Sequence, residues 1–448
     1  MPIRALIAAL FLLSISFMTQ VHAQQYPMEL SLTDKLYGLS RAWQEVESQS
    51  VSIYRKPGPD TDSLFRAYLP MVLNSANDYE YYRLLQRFLA SFNDPFTRVE
   101  LPKRLTDSII TLPLVFREAR GRYFLANADS RLAARIPVGS EIHRVNGFDI
   151  RTWLENEVVP YIASGTPQLR NALALEALPA GWINTQLLLS FTTPDGRSAN
   201  EVLERIPYKK IQWVFPRNTE PDGAPVMLEW QEGDIALVTL YRLDDATLTS
   251  FPDQRQLIKA KAILLDLRNC QPGNNLIAAA RLALRFSNQS QVTLPGFGTR
   301  NQAVIFTGAD QIQGYGSPSG GPLFSIMQPD SLENDTTGIR YGVPLFVLTG
   351  ATTASNAEHL IVMLLQLSDN VRLIGETTAG STGASVSSIL PGGGRLYVGQ
   401  RFDFYPGNDT WFEQGIKPDI QVSADIKSLL NGEDLVLKKA HEAVKKAQ

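Results

Sequence analysis

Cysteine is almost absent from this 448-residue chain: Cys270 stands alone, so no intramolecular disulfide and no thiolate metal cluster can form, and stability has to come from apolar burial. Histidine is nearly as scarce. His22 lies in a segment expected to be removed, and His143, His359 and His441 stand far apart without an H-E-x-x-H spacing, so no metal site is expected. A basic excess is also missing: the formal net charge is −3, which gives no reason to expect a nucleic-acid partner. Neither a G-x-x-x-x-G-K-[ST] loop nor a G-x-G-x-x-G turn after a strand occurs, so no nucleotide or other cofactor is expected. Beyond the start of the chain no apolar run is long enough to cross a bilayer, and the mature chain is expected to have no membrane span. Repeats and low-complexity tracts are absent too.

What is present begins with an export signal. Arg4 precedes an apolar stretch from Ala5 to Phe17, and Val21-His22-Ala23 offers small residues for cleavage after Ala23, so residues 1–23 read as a signal peptide and the protein as periplasmic or extracellular. No cysteine follows it to carry a lipid. With 44% hydrophobic residues the remainder can bury large cores, and its length predicts two or three domains.

Hydrophobic periodicity divides the rest. Leu32, Leu36, Leu39, Trp43 and Val46 share a helical face with Thr33 or Asp34 as cap, and helices over Leu64–Leu73 and Tyr79–Phe92 follow until Asn93-Asp94-Pro95 stops them. This predicts a helical N-terminal domain over 24–102. Short strands at Tyr123–Leu125, Glu141–Val145 and Leu187–Thr193, the last before a Pro194-Asp195-Gly196 turn, predict a β-rich domain over 103–215. Within it, Val138 to Gly147 resembles the "G-D-x-I-x-x-I-N-G" stretch of PDZ modules, which bind extended peptides at a sheet edge. From 225 to 448 strands and helices alternate: Ile235–Leu240, a helix around Leu248–Leu257, Ala262–Leu267, a helix over Leu276–Arg285, Val343–Thr349 and Val371–Gly375, with a long loop at Gly314–Gly321. This predicts an α/β domain, closed by a helix over Leu435–Lys446 whose lysines read as a solvated face.

Ser355 carries the chemistry. Pro344–Leu348 reads as a buried strand, Gly350 breaks it, and Leu360, Met363 and Leu364 recur at helical spacing, so the hydroxyl falls at a strand-to-helix junction. Unpaired N–H groups and the positive end of the helix dipole suit a nucleophile or an oxyanion there. Serine is equally a common helix cap, and the local pattern by itself favours the cap.

Wider motifs change that balance. Asp266-Leu267-Arg268-Asn269 resembles the "D-L-R-x-N" strand end of the S41 peptidases, the tail-specific and C-terminal processing proteases. Thr353 to Glu358 resembles their "T-A-S-A-x-E" nucleophile segment, Gly375 to Gly380 their "G-E-x-T-x-G", and Gly415 to Ile420 their "G-I-x-P-D-I". The resemblance implies α/β plus α and β modules: a helical start, a PDZ-like module and an S41 peptidase-type, crotonase-like α/β domain. It further implies Ser355 as nucleophile toward unfolded or extended peptide, with acyl-enzyme formation and hydrolysis. The N–H groups of Asn356 and Gly273 become possible oxyanion donors, Glu358 a structural residue, and Glu413 a possible orienting acid.

The chain departs from that family where a base is needed. Asp94-Pro95-Phe96-Thr97 aligns with the "D-G-H-T" of one branch, so Phe96 stands at the histidine's place, and Ser381 stands at the lysine's place of the other. Neither can accept a proton from Ser355 near neutral pH. Pro272 replaces a glycine whose N–H helps to hold the oxyanion, and proline has none. His359, four residues along the helix, and the thiol of Cys270 are poor substitutes. The expectation is therefore an S41-like serine peptidase with weak or lost activity, or a non-catalytic pseudoprotease that binds peptides or scaffolds partners. Oligomeric state is not set by these residues.

Overall fold

The computed structural model describes residues 30–447 apart from 56–57, 217–222, 254, 274, 301–323, 335–340, 406–410 and 424. The expected signal peptide and the Gly314–Gly321 loop lie outside the described residues.

Helices α1 (Leu32–Gln49), α2 (Thr61–Leu73) and α3 (Asp78–Ala90) open the chain. The cap of α1 is Ser31, not Thr33 or Asp34: its hydroxyl accepts from the Asp34 N–H at 3.1 Å while the Asp34 carboxylate accepts from the Ser31 N–H at 3.1 Å. Asp34 is thus the reciprocal partner in a capping box. Leu39 and Val46 are buried as expected, whereas Leu32 and Leu36 are exposed and Lys35, Gly38 and Ala42 are buried, so the buried face is turned away from the expected one. After α3, Asn93 takes φ 51° and the chain enters strand β1 (Arg98–Glu100).

The middle of the chain forms β2 (Leu114–Ala119), β3 (Arg122–Ala128), β4 (Glu141–Val145), α4 (Pro167–Ala177), β5 (Gln186–Thr192) and β6 (Ser198–Glu204). The strands pair antiparallel in the order β2-β3-β4-β5-β6 around a core that includes Phe116, Leu125, Leu187, Leu189 and Phe191.

The last part contains β7 (Val226–Gln231), β8 (Ile235–Leu240), β9 (Ala262–Asp266), α5 (Leu276–Leu284), β10 (Gly296–Arg300) and β11 (Phe324–Met327). It continues through β12 (Leu345–Thr349), α6 (Asn356–Leu367), β13 (Val371–Gly375), β14 (Ala384–Ile389), β15 (Arg395–Phe404), β16 (Ile420–Gln421) and α7 (Leu435–Ala447). One sheet runs β7-β8-β9-β12-β13-β16, parallel except for β7. Helices α5 and α6 cover one face and α7 the other, which is why β8, β9 and β12 are buried throughout and mostly apolar instead of alternating. The helix expected around Leu248–Leu257 covers only Asp245–Ser250, because Phe251 precedes Pro252 and proline disfavours helix in the residue before it.

A second, antiparallel sheet ties the two ends of the chain together. Its order is β1-β15-β10-β11, with β14 on β15, and Val99 lies opposite Leu396. Leu85, Phe88 and Leu89 of α3 share one core with Leu390, Leu396 and Val398, so the helical start is packed onto the β14–β15 hairpin. Among the described residues no helix is long and apolar enough to cross a membrane.

Candidate functional site

Ser355 stands between β12 and α6 at φ 57° and ψ −124°, a backbone conformation that costs a non-glycine residue about 1–3 kcal/mol. It does not cap the helix. Its Oγ donates to the Gly273 carbonyl at 2.7 Å and makes no cap hydrogen bond, so the local expectation of a cap gives way to a strained, outward-turned serine.

The surrounding loops hold this geometry. Thr353 donates its N–H to the Gly350 carbonyl at 2.9 Å and its hydroxyl to the Leu267 carbonyl at 3.2 Å, and its own carbonyl accepts from Ala379 at 2.9 Å. The Ser355 N–H donates to the Ser381 carbonyl at 2.9 Å. Glu358, fully buried one turn into α6, fastens the 378–381 loop: its carboxylate accepts from the Thr378 hydroxyl, from Gly380 N–H at 2.7 Å and from Ser381 N–H at 2.9 Å. Burial pushes that carboxyl above its usual range against the pull of these donors. At Gly375, φ is 136° and a Cβ would lie 2.0 Å from the Thr349 carbonyl oxygen, so no other residue fits where the loop leaves β13.

The middle sheet's helix reaches the same loop. Thr166, the cap of α4, donates to the Ala379 carbonyl at 2.7 Å, Gln168 donates to the carbonyls of Thr378 and Gln414 at 2.9 and 2.8 Å, and Leu169 packs against Ala354 and Ala379. Asp266 and Arg268 of the "D-L-R-x-N" stretch serve the scaffold: Arg268 bridges Asp266 and Asp434, each at 2.7 Å, and so secures the start of α7.

The structure places the sequence-derived site residues in two groups, Ser355, Gly273 and Asn356 at the start of α6 and Phe96, Ser381 and Glu413 in a cleft, linked by the bond from the Ser355 N–H to the Ser381 carbonyl. Phe96, Ser381 and Glu413 line a narrow cleft of about 50 Å³ together with Arg55, Arg401 and Asp403. Phe96 sits in a turn pinned by Asp94, whose carboxylate accepts from the Phe96 N–H at 3.0 Å and the Thr97 hydroxyl at 2.6 Å. Glu413 faces Arg55 at 3.5 Å, and Arg55 stacks on Phe402 at 3.9 Å. Gly273 touches Ser355 through its carbonyl. Asn356 is buried beside it, with Nδ2 3.5 Å from where a Cβ on Gly273 would stand. Among the described residues no imidazole or amine hydrogen-bonds to Ser355 Oγ.

His359 is engaged elsewhere. It is buried, with Nε2 3.3 Å from Asp403 Oδ2 and Nδ1 3.4 Å from the Tyr405 hydroxyl. Burial pushes the Asp403 carboxyl up, but the hydrogen bond and charge of His359 and the charge of Arg401, 2.9 Å away, outweigh it and hold the carboxyl below its usual range. Sequence reasoning missed Arg55, Arg401, Asp403 and Tyr405. The strict alternation Arg401, Asp403, Tyr405 against Phe402, Phe404 was the available signal, since alternate strand residues share a face. Cys270 is buried, and burial followed by the charge of Asp244 pushes its thiol up to about 12, which leaves no thiolate nucleophile near neutral pH. Among the described residues no cluster of His, Cys, Asp and Glu could hold a metal ion.

Fold and site define an α/β protein with a strained serine at a strand-to-helix turn. Residues 234–422 match the model described as peptidase family S41. No curated protein matches the sequence. Among solved structures, mature CPAF is similar at a TM-score of 0.67 and 15% identity, over 91% of this chain and 96% of that one. CPAF complexed with lactacystin gives 0.66 at 13% identity, over 93% and 97%. A putative peptidase from Parabacteroides merdae gives 0.50 at 15%, over 93% and 97%. At these identities the likeness is one of fold.

Proposed function

We propose that this chain is an exported S41-type protein that binds unfolded or extended peptide beside Ser355 and cleaves it slowly, by serine attack without an internal base. The observation that carries this reading is the strained Ser355, whose hydroxyl is turned out of its helix onto the Gly273 carbonyl, with no base at its oxygen among the described residues. In the reaction the Ser355 Oγ–C bond forms, the carbonyl π pair moves onto the substrate oxygen, and the hydroxyl proton passes to water. Collapse of that oxyanion expels the peptide amine, which takes a proton from water, and a second water hydrolyses the ester. Enzymes stripped of a triad member still retain about 10³- to 10⁴-fold over the uncatalysed rate through oxyanion and binding contacts, so slow turnover is the physical expectation.

The β-rich middle is read as a PDZ-like module over 103–215, between a helical domain over 24–102 and the peptidase-type domain over 225–448. Its α4 contacts to the 378–381 loop support a role in presenting peptide to the serine. A second reading, a non-catalytic pseudoprotease, is favoured by Phe96 and by the Glu413–Arg55 pair where a base and its orienting acid would stand.

The deciding experiment incubates the mature chain and its Ser355→Ala variant with an unstructured protein and follows fragments by mass spectrometry. Slow cleavage by the parent alone is expected. Equal inactivity of both, with retained peptide binding, would establish the pseudoprotease.

A further inference from the structure

The residue after Ser355 carries two hydrogen-bond donors that find no acceptor among the described residues. Asn356 is the first residue of the twelve-residue helix α6, and its backbone N–H makes no hydrogen bond, as expected for the first turn of a helix. Its side chain is only 3% exposed, yet Nδ2 is buried without a partner. A buried amide donor left unmade is costly, and native proteins rarely keep one without a use. Nδ2 packs against Gly273, the residue whose carbonyl accepts the Ser355 hydroxyl at 2.7 Å. Nδ2 and the Ser355 hydroxyl therefore both lie against Gly273. The N-terminal end of α6 adds the positive end of its dipole there.

We infer that the Asn356 side-chain amide, together with its own backbone N–H, forms the oxyanion site for a carbonyl or other trigonal centre attacked by Ser355, supplying from a side chain a donor that Pro272 cannot supply from the backbone. The inference rests on the peptide-cleaving reading above. Attack forms the Oγ–C bond, moves the carbonyl π pair onto oxygen and sends the hydroxyl proton to water. The new negative oxygen has to lie within hydrogen-bond reach of Nδ2 beside Gly273, a place distinct from that of the present Gly273 carbonyl oxygen, to which neither donor of Asn356 bonds. Asn356 is thus a catalytic residue in the strict sense, since its amide touches the reacting oxygen.

A blocked tri-alanine boronic acid tests this without requiring turnover. The Ser355 oxygen adds to boron, the hydroxyl proton goes to water, and the resulting tetrahedral boronate carries the negative charge that the amide should hold. The full-length mature chain is expected to form an adduct visible by boron NMR and titratable by thermal shift, and Ser355→Ala to form none. Asn356→Ala should bind at least tenfold more weakly, and Asn356→Asp weaker still, because a carboxylate repels the boronate. Asn356→Leu should match the parent in melting temperature, since it removes an unpaired polar group. An adduct of parental affinity in Asn356→Ala would overturn this inference and leave the slow-peptidase reading standing. No adduct in the parent itself would overturn both. A collapse of folding in both Asn356→Ala and Asn356→Leu would also count against it, by showing that the amide supports the fold instead of the anion.

Discussion

The two sides of Ser355 differ in what they have kept. On the α6 side, Glu358 clamps the 378–381 loop, Thr353 pins the approach from β12, and the donors of Asn356 stand beside the strained serine. On the β15 side, where a proton acceptor would belong, stand the ring of Phe96, the hydroxyl of Ser381 and a Glu413–Arg55 pair. One side holds a clamped loop and amide donors, and the other holds no titratable base beside Ser355 among the described residues. Positioning and proton transfer are therefore physically separable parts of serine catalysis, since one is built from backbone shape and the other from a single titratable side chain.

The strongest way to break the comparison is at the clamp. Glu358→Ala strips the acceptors from the Gly380 and Ser381 N–H groups and should cost on the order of 3 kcal/mol or more, read as a lower urea midpoint and a lower melting temperature. A stability within a few tenths of a kcal/mol of the parent would show that Glu358 is not what holds the loop.

The base side is sharpened by repair. Phe96→His places an imidazole in the cleft shared with Ser381 and Glu413, and general-base assistance of this kind contributes roughly 100-fold or more. Peptide cleavage should rise by about that factor, with a pH profile that climbs through the imidazole range, and Ser355→Ala should abolish the gain. No gain, in a folded variant whose ring titrates normally, would mean that the cleft does not direct this position at Ser355 Oγ.

A smaller effect tests the histidine that was drawn away. Asp403 has its folded pKa below the unfolded value, so its stabilising contribution is fully present above about pH 4 and is lost as pH falls through the lower folded value. Asp403→Asn should therefore be less stable than the parent by about 2 kcal/mol at neutral pH, with the gap closing under acid. Urea midpoints from pH 7 to pH 2 check this. A gap that widens on acidification would contradict the assigned direction.

Much of the scaffold was legible from local pattern. Apolar runs marked β8, β9, β12 and β13 because strands covered on both faces cannot alternate, and the periodicity of α3 and α7 matched their buried stripes. Local rules failed where two signals competed: Asp34 looked like a cap until Ser31 claimed that place, and Pro252 cut short a helix that spacing alone extended. At the site, the motifs marked Ser355, Gly273, Asn356, Phe96, Ser381 and Glu413; the first three lie against one another and the last three line one cleft. The partners that matter for charge, Arg55 and the Asp403–His359 pair, lie 358 and 44 residues from Glu413 and His359 in the sequence and leave no local trace.

By itself the sequence determined the export signal reading, the alternation of strands and helices, the serine at a strand-to-helix junction, and the replacement of both expected bases. These follow from residue type and spacing along the chain. The turning of the Ser355 hydroxyl onto Gly273, the capture of His359 by Asp403, and the unpaired amide of Asn356 were decided by tertiary structure alone. Each depends on which groups the packed sheets and helices bring within about 3 Å, the reach of a hydrogen bond, and chain order does not encode that distance.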